Sequence, residues 1–516
     1  MAGGVALAGP EAGGSWRLPE GWCWTTLGAL GTWTGGGTPS KANSAFWTDG
    51  TVPWVSPKDM KVAVIGETED RITEAAVEGS STKYVPERSV LMVMRSGILK
   101  HSFPVAVTDR TVTLNQDLRA LTPRSGISAD YVARYLNLAA TRVLHDCSKD
   151  GTTVDSIDAS ALERFKIPIA PFAEQRRIVA RIDALFAEID EGETALAAAR
   201  DGLDTFRRAL LKAAVTGELT KDWRTQNPTV GTKQESGHDL LARIKMKRSI
   251  ASTGKRRGKR NDASAIVLDI TTLPQLPEGW AWGTIDDIAI DTLIGLDRGA
   301  ASQRPEPVGC PYIKMQNISV EGKVDLSNLV YVDADAEETS KYAIMDGDVL
   351  FNTRNSKELV GKTGIVNHPA PGTIFNNNLM RIRSIDRSTN QWLAVALVSP
   401  PFLERLEMIK KATTSVAAIY ASDLFTLPIP IPPPAETDEI LRRISKALSA
   451  SADTLSVLDA EAADAARLKQ SILKAAFEGR LVPQDPADEP ASALLARLSA
   501  PAPEARRGRG ARTRAK

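Results

Sequence analysis

The chain has 516 residues, with 64 lysine and arginine residues against 63 aspartate and glutamate residues, and 42% of its residues are hydrophobic. This length predicts roughly three domains, and the formal net charge of +1 excludes a uniformly basic coat, so any nucleic acid would be bound through local patches. The sequence contains no apolar run long enough for a membrane-spanning helix, and three scattered cysteines (Cys23, Cys147 and Cys310) exclude a disulfide framework and a thiolate zinc site.

The first folded region is predicted to begin at Leu18. Residues 1–17 lack the charged and apolar regions of a secretory signal peptide, so we expect them to be flexible and the protein to be cytoplasmic. Residues 18–166 are rich in glycine, proline, threonine and short β-branched runs, which favours strands and turns with a few short helices, such as Ala129 to His145. The sequence therefore predicts a mixed α+β domain here.

A long helix is predicted after the proline-rich hinge IPIAP, within residues 167–220, and a second long helix after the hinge LPIPIPPP, within residues 428–482. Apolar residues recur in each helix at spacings of three and four, which forms a seam that requires a partner. The seam residues are Ile178, Ile182, Leu185, Ile189, Leu196, Leu203, Phe206 and Leu210 in the first helix, and Ile440, Ile444, Leu458, Leu468 and Ile472 in the second.

Either seam alone is typical of an ordinary helix that faces a core. The second seam is also weaker in its middle, where Ser451, Thr454 and Glu461 occupy the equivalent positions. Two equally long helices nevertheless favour mutual pairing as an antiparallel coiled coil. At about 1.5 Å per residue each helix would span roughly 65 Å and would hold two domains apart.

The second half of the chain repeats the motifs of the first half in the same order. RLPEGWCW, which ends at Trp24, returns as QLPEGWAW, which ends at Trp282. The later pairs are VPWVSPKDM and CPYIKMQNI, SVLMVMRSG and DVLFNTRNS, LNQDL and FNNNL, LKAAVTGEL and LKAAFEGRL, and LLARI and LLARL. The chain is therefore two copies of one module of about 230 residues, and residues 276–427 form the second domain.

Two segments outside these elements are basic. Residues 221–275 are predicted to be a partly disordered linker, because residues 245–260 are low in apolar content and contain no acidic residue. Residues 483–516 form a tail that is basic and predicted to be disordered at its end. Both segments would add nonspecific attraction to phosphates, or serve only as solvated linkers.

The sequence contains no recognisable catalytic motif. A phosphate-binding GxxxxGK[ST] loop, a GxGxxG loop after a strand, a GxSxG nucleophile motif and an Asn-Pro-Pro-Tyr methylation motif are all absent, and the histidines show no metal-ligand spacing. These absences indicate a binding or scaffold protein without a catalytic site or a metal site of its own.

Polar and basic residues cluster in the loops that follow strands, and many recur at equivalent positions in both copies. Arg, Lys, Asn and Gln read base edges in the major groove, whereas Ser and Thr donate to phosphates. Each residue alone is also consistent with an ordinary hydrophilic loop. The candidate DNA-binding residues are Ser56, Lys58, Arg95, Ser96, Lys100, His101, Lys149, Thr152, Thr153, Lys314, Gln316, Asn317, Arg354, Asn355, Lys357, Lys362, Lys411, Thr413 and Thr414.

From about Leu18 to Leu498 the ordered motifs resemble those of type I restriction-modification specificity subunits (HsdS). The resemblance rests on the LPEGW opening, on GGGTPSKANSAFW followed by VPWVSPKDM, on the hinge IPIAPFAEQRRIV and on the helix end LKAAVTGEL. Glu174 and Gln175 match the Pro-x-x-Glu-Gln hinge of the family. The second copy departs from it, with Thr437 after Glu436, so we expect the two hinges to make different contacts.

This resemblance implies two target-recognition domains, each reading one half of a bipartite, asymmetric site in double-stranded DNA. They would be joined by an antiparallel helix pair with pseudo-two-fold symmetry. It also implies two modification (methyltransferase) subunits and ATP-dependent restriction subunits as partners. S-adenosylmethionine, ATP and Mg²⁺ would belong to those partners, and this chain would bind no cofactor and would be non-catalytic by itself.

Three other interpretations remain open at this point. A coiled-coil adaptor without DNA specificity predicts no salt-dependent affinity for DNA. A DNA-reading part of another restriction-modification assembly would share the recognition domains but have other partners. A fused enzyme would require methylase or nuclease motifs, which the sequence lacks.

Overall fold

The computed structural model describes residues 17–149, 155–228, 230, 233–252, 270–412 and 416–499. The chain forms two compact units. Of these described residues, unit 1 contains those up to Leu196 together with those from Asp459 onward, and unit 2 contains those within Ala197–Leu458. Unit 1 thus combines two segments that are far apart in sequence, whereas unit 2 is one continuous stretch of the chain. Within the described ranges, no helix is both long and apolar enough to cross a membrane.

Unit 1 is built on a five-stranded sheet of order β2-β10-β7-β8-β4, a four-stranded sheet of order β5-β3-β9-β6, and the pair β1-β11. Its strands are β1 Cys23–Thr26, β2 Gly31–Gly35, β3 Val52–Val55, β4 Val64–Ile65, β5 Asp70–Ile72, β6 Tyr84–Val85, β7 Val90–Val93, β8 Val105–Thr108, β9 Val112–Leu114, β10 Leu118–Pro123 and β11 Lys166–Ile169. Its helices before the first long helix are α1 Glu74–Glu78, α2 Ala129–Leu138, α3 Ala140–Cys147 and α4 Ala159–Arg164.

The first long helix, α5, spans Phe172–Thr216, and the second, α13, spans Pro434–Phe477, as the sequence predicted. Between them lie α6 Lys221–Gln226, α7 Gly237–Ser252, α8 Ile285–Ile288, α9 Ala336–Lys341, α10 Arg387–Leu397, α11 Pro400–Ile409 and α12 Ala421–Leu424. The last helix, α14, spans Ala491–Ser499. The α+β architecture with two long helices is confirmed.

Unit 2 contains a four-stranded sheet of order β13-β20-β16-β18, two three-stranded sheets of order β15-β14-β19 and β17-β22-β21, and the pair β12-β23. Its strands are β12 Ala281–Thr284, β13 Asp291–Ile294, β14 Cys310–Ile313, β15 Val330–Val332, β16 Val349–Asn352, β17 Arg354–Asn355, β18 Thr363–Ile365, β19 Ile374–Phe375, β20 Leu379–Arg383, β21 Lys411–Ala412, β22 Ala417–Ala418 and β23 Pro428–Ile431.

The two copies place their hinges in the same way. The strand after each LPEGW motif pairs antiparallel with the hinge strand, with Trp24 opposite Pro168 in unit 1 and Trp282 opposite Pro430 in unit 2. Proline is tolerated here because each sheet has only two strands, so every strand is an edge. The hinge isoleucines point into the cores, and Ile169 and Ile431 are completely buried.

Within each unit, the beginning of one long helix packs with the end of the other. In unit 1, Ile178 and Ile182 of α5 share a hydrophobic core with Ile472 and Phe477 of α13. The Lys469 ammonium of α13 also lies 2.7 Å from the Asp190 carboxylate of α5. In unit 2, the core instead combines Leu210 and Ala214 of α5 with Ile440 and Ile444 of α13. The helix segments therefore run antiparallel in each unit.

The predicted seam is wrong at Phe206 and Leu468, whose side chains are 46% and 51% exposed. Leu468 lines a groove of about 630 Å³ between the two helices of unit 1, where the small residues Gly192 and Ala465 leave room beside it. Phe206 lies ten residues before the end of α5, and the predicted seam of α13 is itself polar at Ser451. Seam residues Leu185 and Ile189 are partly buried against the core of unit 1.

The segment after α5 is more ordered than predicted. Helix α7 continues through residues 245–252, so the prediction of disorder from residue 245 is wrong for this part. Its residues Leu240, Leu241 and Ile244 are buried in the core of unit 2, which stabilises the helix. The remaining linker residues 253–269, the N-terminal residues 1–16 and the tail residues 500–516 lie outside the described residues.

Candidate nucleic-acid interface

Unit 1 brings two predicted basic residues to one exposed edge. Arg95 follows strand β7 and forms an isolated antiparallel bridge with Ser156, and the Lys149 amide donates to the Ser156 carbonyl at 2.8 Å. Both side chains are more than half exposed. The Arg95 guanidinium pairs with Asp117 at 2.8 Å, and the Lys149 ammonium lies 3.5 Å from Asp158. An arginine and a lysine therefore flank Ser156 at the surface.

Unit 2 repeats this arrangement as a complete ribbon of three short strands. Ala418 of β22 lies opposite Arg354 of β17 on one side and opposite Lys411 of β21 on the other. The Lys411 ammonium is 2.9 Å from the Asp423 carboxylate, and this hydrogen bond raises the pKa of Lys411. Arg354 and Lys411 are exposed. One arginine and one lysine predicted from recurrence thus lie close together in each unit.

Three predicted residues have structural roles instead. The Ser56 hydroxyl donates to the Asp59 carboxylate at 3.0 Å, and Ser56 is only 5% exposed. The Asn317 side chain is 5% exposed and accepts from the Lys314 amide at 2.9 Å. The Lys362 ammonium donates to the carbonyl of Met315 at 2.8 Å. Because these side chains hold their own loops together, they are not part of the candidate interface.

The sequence position of Lys362 was misleading because its side chain is engaged within unit 2. Its ammonium also donates to the Ile318 carbonyl at 2.5 Å, and burial lowers its pKa. Lys314 and Asn355 are likewise engaged within unit 2, because the Lys314 ammonium donates to Gln303 at 2.7 Å and the Asn355 amide donates to Asn352 at 2.9 Å. Residue type alone therefore cannot distinguish a loop lysine or amide that contacts phosphates from one that binds within its own domain.

The other predicted residues are accessible or lie outside the description. Ser96 caps a short 3-10 turn, Gly97–Lys100, through the Ile98 amide. Lys58 lies 3.5 Å from Glu69 in an exposed ion pair. The side chains of Lys100, His101, Gln316 and Lys357 are exposed. Thr152, Thr153, Thr413 and Thr414 lie outside the described residues.

Sequence reasoning missed the contact that fixes each domain to its long helix. The Trp22 indole donates to the Glu174 carboxylate at 3.0 Å, and the Trp280 indole donates to the Glu436 carboxylate at 2.8 Å. Both carboxylates are almost completely buried. The recurrence of the LPEGW tryptophan and of the glutamate in the first turn of each helix was the available signal.

The two hinges differ around this shared contact, as the sequence led us to expect. The Gln175 amide donates to the Ala170 carbonyl and its oxygen accepts from the Ser128 amide, both at 2.9 Å. Thr437 instead donates to the carbonyl of Pro433, the residue just before its helix, at 3.1 Å. Glu436 also accepts from the Thr220 hydroxyl at 2.6 Å. In the other hinge, burial raises the pKa of Glu174.

The arrangement supplies exposed cations beside polar strand edges. In the parts of the chain that the structure describes, no three His, Cys, Asp or Glu side chains gather where they could hold a metal ion. The exposed guanidinium and ammonium groups can neutralise phosphates, and the ribbon backbone holds them in a fixed register.

Comparison with known proteins identifies relatives that match part of this chain and relatives that match nearly all of it. The family described as "Type I restriction modification DNA specificity domain" matches residues 19–197. The Escherichia coli EcoR124I/EcoR124II specificity subunit is 43% identical over 172 residues, which cover 33% of this chain and 43% of that protein. The specificity subunit of EcoKI from Escherichia coli strain K12 is 23% identical over 501 residues, which cover 94% of this chain and 96% of that protein.

A solved structure shares the fold over most of the chain. It comes from work on complex assembly and conformational transition of the type I R-M system, and it superposes with a TM-score of 0.61 at 19% identity. The superposition covers 90% of this chain and all of the other. This likeness concerns the fold.

Proposed function

Because the chain belongs to the family of type I restriction-modification specificity subunits, we propose that it is the DNA-reading subunit of such a complex. Each unit would read one half of a bipartite site in double-stranded DNA. The chain would direct methyltransferase and restriction subunits to that site and would not catalyse either reaction itself.

The observation that carries this proposal is the recurrence of the basic ribbon in both units. Arg95 and Lys149 flank Ser156 in unit 1, as Arg354 and Lys411 flank Ala418 in unit 2. Exposed cations on equivalent elements suit two separate contacts with phosphates. Because the residue between the cations differs, the two half-sites should differ in sequence.

The long helices would set the distance between the half-sites. Half-sites read on one face of the duplex lie about 34–36 Å apart, or a multiple of this distance, and a helix of this length spans roughly 65 Å. We propose an antiparallel helix pair with pseudo-two-fold symmetry as the ruler. The base pairs between the half-sites would go unread.

The partners would supply the chemistry. We propose two methyltransferase subunits that bind S-adenosylmethionine, and restriction subunits that use ATP and Mg²⁺. The described residues of this chain offer no cluster of metal-ligating side chains. We also propose that the protein acts in the cytoplasm, without membrane association.

The decisive experiment sequences methylated positions in DNA modified by the methyltransferase partner with and without this chain. We expect a bipartite, asymmetric motif that appears only when the chain is present. The same methylation pattern without the chain, or no motif with a partner shown to be active, would refute the proposal. An adaptor without DNA specificity would give no motif even with an active partner.

A further inference from the structure

The outer face of the ribbon in unit 2 is chemically unusual because it places two cations beside apolar side chains. Arg354 and Lys411 both lie directly opposite Ala418. Directly opposite residues of an antiparallel pair point to the same face of the sheet. The two cations and the Ala418 methyl group therefore share one face.

The exposure of strand β22 and its flanks identifies this face as the outer one. Ala417 and Ile419 are buried, whereas Val416 and Tyr420 are 44% and 51% exposed. Successive residues of an extended chain point to opposite faces. The alternation of exposure continues from β22 into its flanks, where Tyr420 has an extended backbone, so Val416, Ala418 and Tyr420 face outward. The Lys411 ammonium lies 5.0 Å from the centre of the Tyr420 ring.

The equivalent face in unit 1 has different chemistry. Counting along the two copies, Lys149 corresponds to Lys411, Ser156 to Ala418 and Asp158 to Tyr420. The Asp158 carboxylate accepts from the Ala161 amide at 2.7 Å and caps helix α4. Unit 1 therefore presents a hydroxyl and a carboxylate where unit 2 presents a methyl group and an aromatic ring, while the flanking cations are retained.

We propose that the second domain uses this face to read the methyl group of a thymine in the major groove, through Tyr420 and Ala418. Arg354 and Lys411 hold the phosphates on either side. The inference rests on the proposed function and adds to it the residues and the base-pair type that they recognise. The major groove admits a β-ribbon, and apolar contact with the thymine methyl group distinguishes A·T from G·C pairs.

Charge and register identify duplex DNA as the occupant of this face. Isolated exposed hydrophobic residues are ordinary on protein surfaces. Here, however, Ala418 stands in register with two exposed cations, and the Tyr420 ring lies beside one of them. An apolar protein partner would have to desolvate both cations. A polyanion neutralises the cations at its backbone and presents thymine methyl groups in its groove.

The test uses the full chain with its methyltransferase partner to select duplexes from a library of randomised sequence. We expect Tyr420→Ser to lower discrimination at one A·T position of one half-site by roughly tenfold. The other half-site and the spacer should remain unchanged. Ala418→Ser, which introduces the residue of unit 1, should change the preferred base pair at the same or a neighbouring position. Tyr84→Ser serves as the control, because Tyr84 is 43% exposed but lies on strand β6 of unit 1.

Salt dependence separates base reading from phosphate binding. Lys411→Gln should weaken binding to all sequences and lower the slope of log affinity against log salt by about one. Tyr420→Ser should leave this slope unchanged. Unaltered motifs with both Tyr420→Ser and Ala418→Ser would overturn the inference. So would a salt slope that Tyr420→Ser lowers as much as Lys411→Gln does. If the wild-type chain selects no bipartite motif, the proposed function itself fails.

Discussion

Loss of the indole N–H group that donates to Glu174 should destabilise unit 1 more than loss of the N–H group that donates to Glu436 destabilises unit 2. Trp22 and Trp280 are similarly buried, with 7% and 4% of their surface exposed. In unit 2, Glu436 keeps the Thr220 hydroxyl and the Arg224 guanidinium as partners after the indole is lost. In unit 1, the second oxygen of Glu174 has no hydrogen-bond partner among the described residues. The nearby Gln484 amide donates instead to the Gly479 carbonyl at 2.8 Å.

The difference in unfolding free energy follows from this contrast. Trp22→Phe and Trp280→Phe remove the same ring volume, so the cavity contribution is shared. A hydrogen bond to a charged group contributes about 1.5–3 kcal/mol, and a buried carboxylate left without its partner costs about 3–5 kcal/mol. We therefore expect Trp22→Phe to cost unit 1 about 2 kcal/mol more than Trp280→Phe costs unit 2.

Hydrogen exchange of backbone amides in increasing urea, read by mass spectrometry, measures the opening free energy of each unit separately. Equal losses in the two units would refute this reasoning. Glu174→Gln in the Trp22→Phe background provides a second check, because a neutral amide is less costly to bury than a carboxylate. This double variant should recover part of the lost stability of unit 1.

Three further predictions follow from the long helices, a close backbone approach and an acid-sensitive ion pair. Insertion of four residues after Ala198 should lengthen α5 by about 6 Å and increase the preferred spacer by one or two base pairs, as read by methylation sequencing; an altered half-site would contradict the ruler. Gly36→Ala should destabilise unit 1 by about 3 kcal/mol or more, measured by urea unfolding, because its new Cβ would lie 1.7 Å from the Asn115 carbonyl oxygen. Hydrogen bonds from two arginines lower the pKa of Glu439 from 4.5 to about 2; the stability of unit 2 should therefore fall as the pH decreases from 4.5 towards 2. Glu439→Gln should flatten this part of the pH profile.

The sequence was most informative where periodicity or repetition constrained it. The uninterrupted run after each hinge predicted α5 and α13 closely, because only a long helix satisfies such a pattern. Recurrence likewise led to Arg95 and Arg354. The sequence failed for Lys362, whose ammonium binds backbone carbonyls, because a buried and an exposed loop lysine have the same local pattern. Burial of α7 depends on the core of the second domain, which no local pattern reveals.

The repeats of the sequence and the compact units of the structure do not coincide, and this difference has a physical cause. The segment after α5 packs on the opening of the second copy, where the Gly237 amide donates to the Gly279 carbonyl at 2.8 Å. The segment after α13 packs on the opening of the first copy, where the Ala491 amide donates to the Gly21 carbonyl at 2.8 Å. Each LPEGW opening is thus covered by the end of the other copy. Because apolar side chains from both copies are buried in each core, neither copy alone contains the residues that complete a unit. Each sequence copy therefore needs the other copy to complete a hydrophobic core.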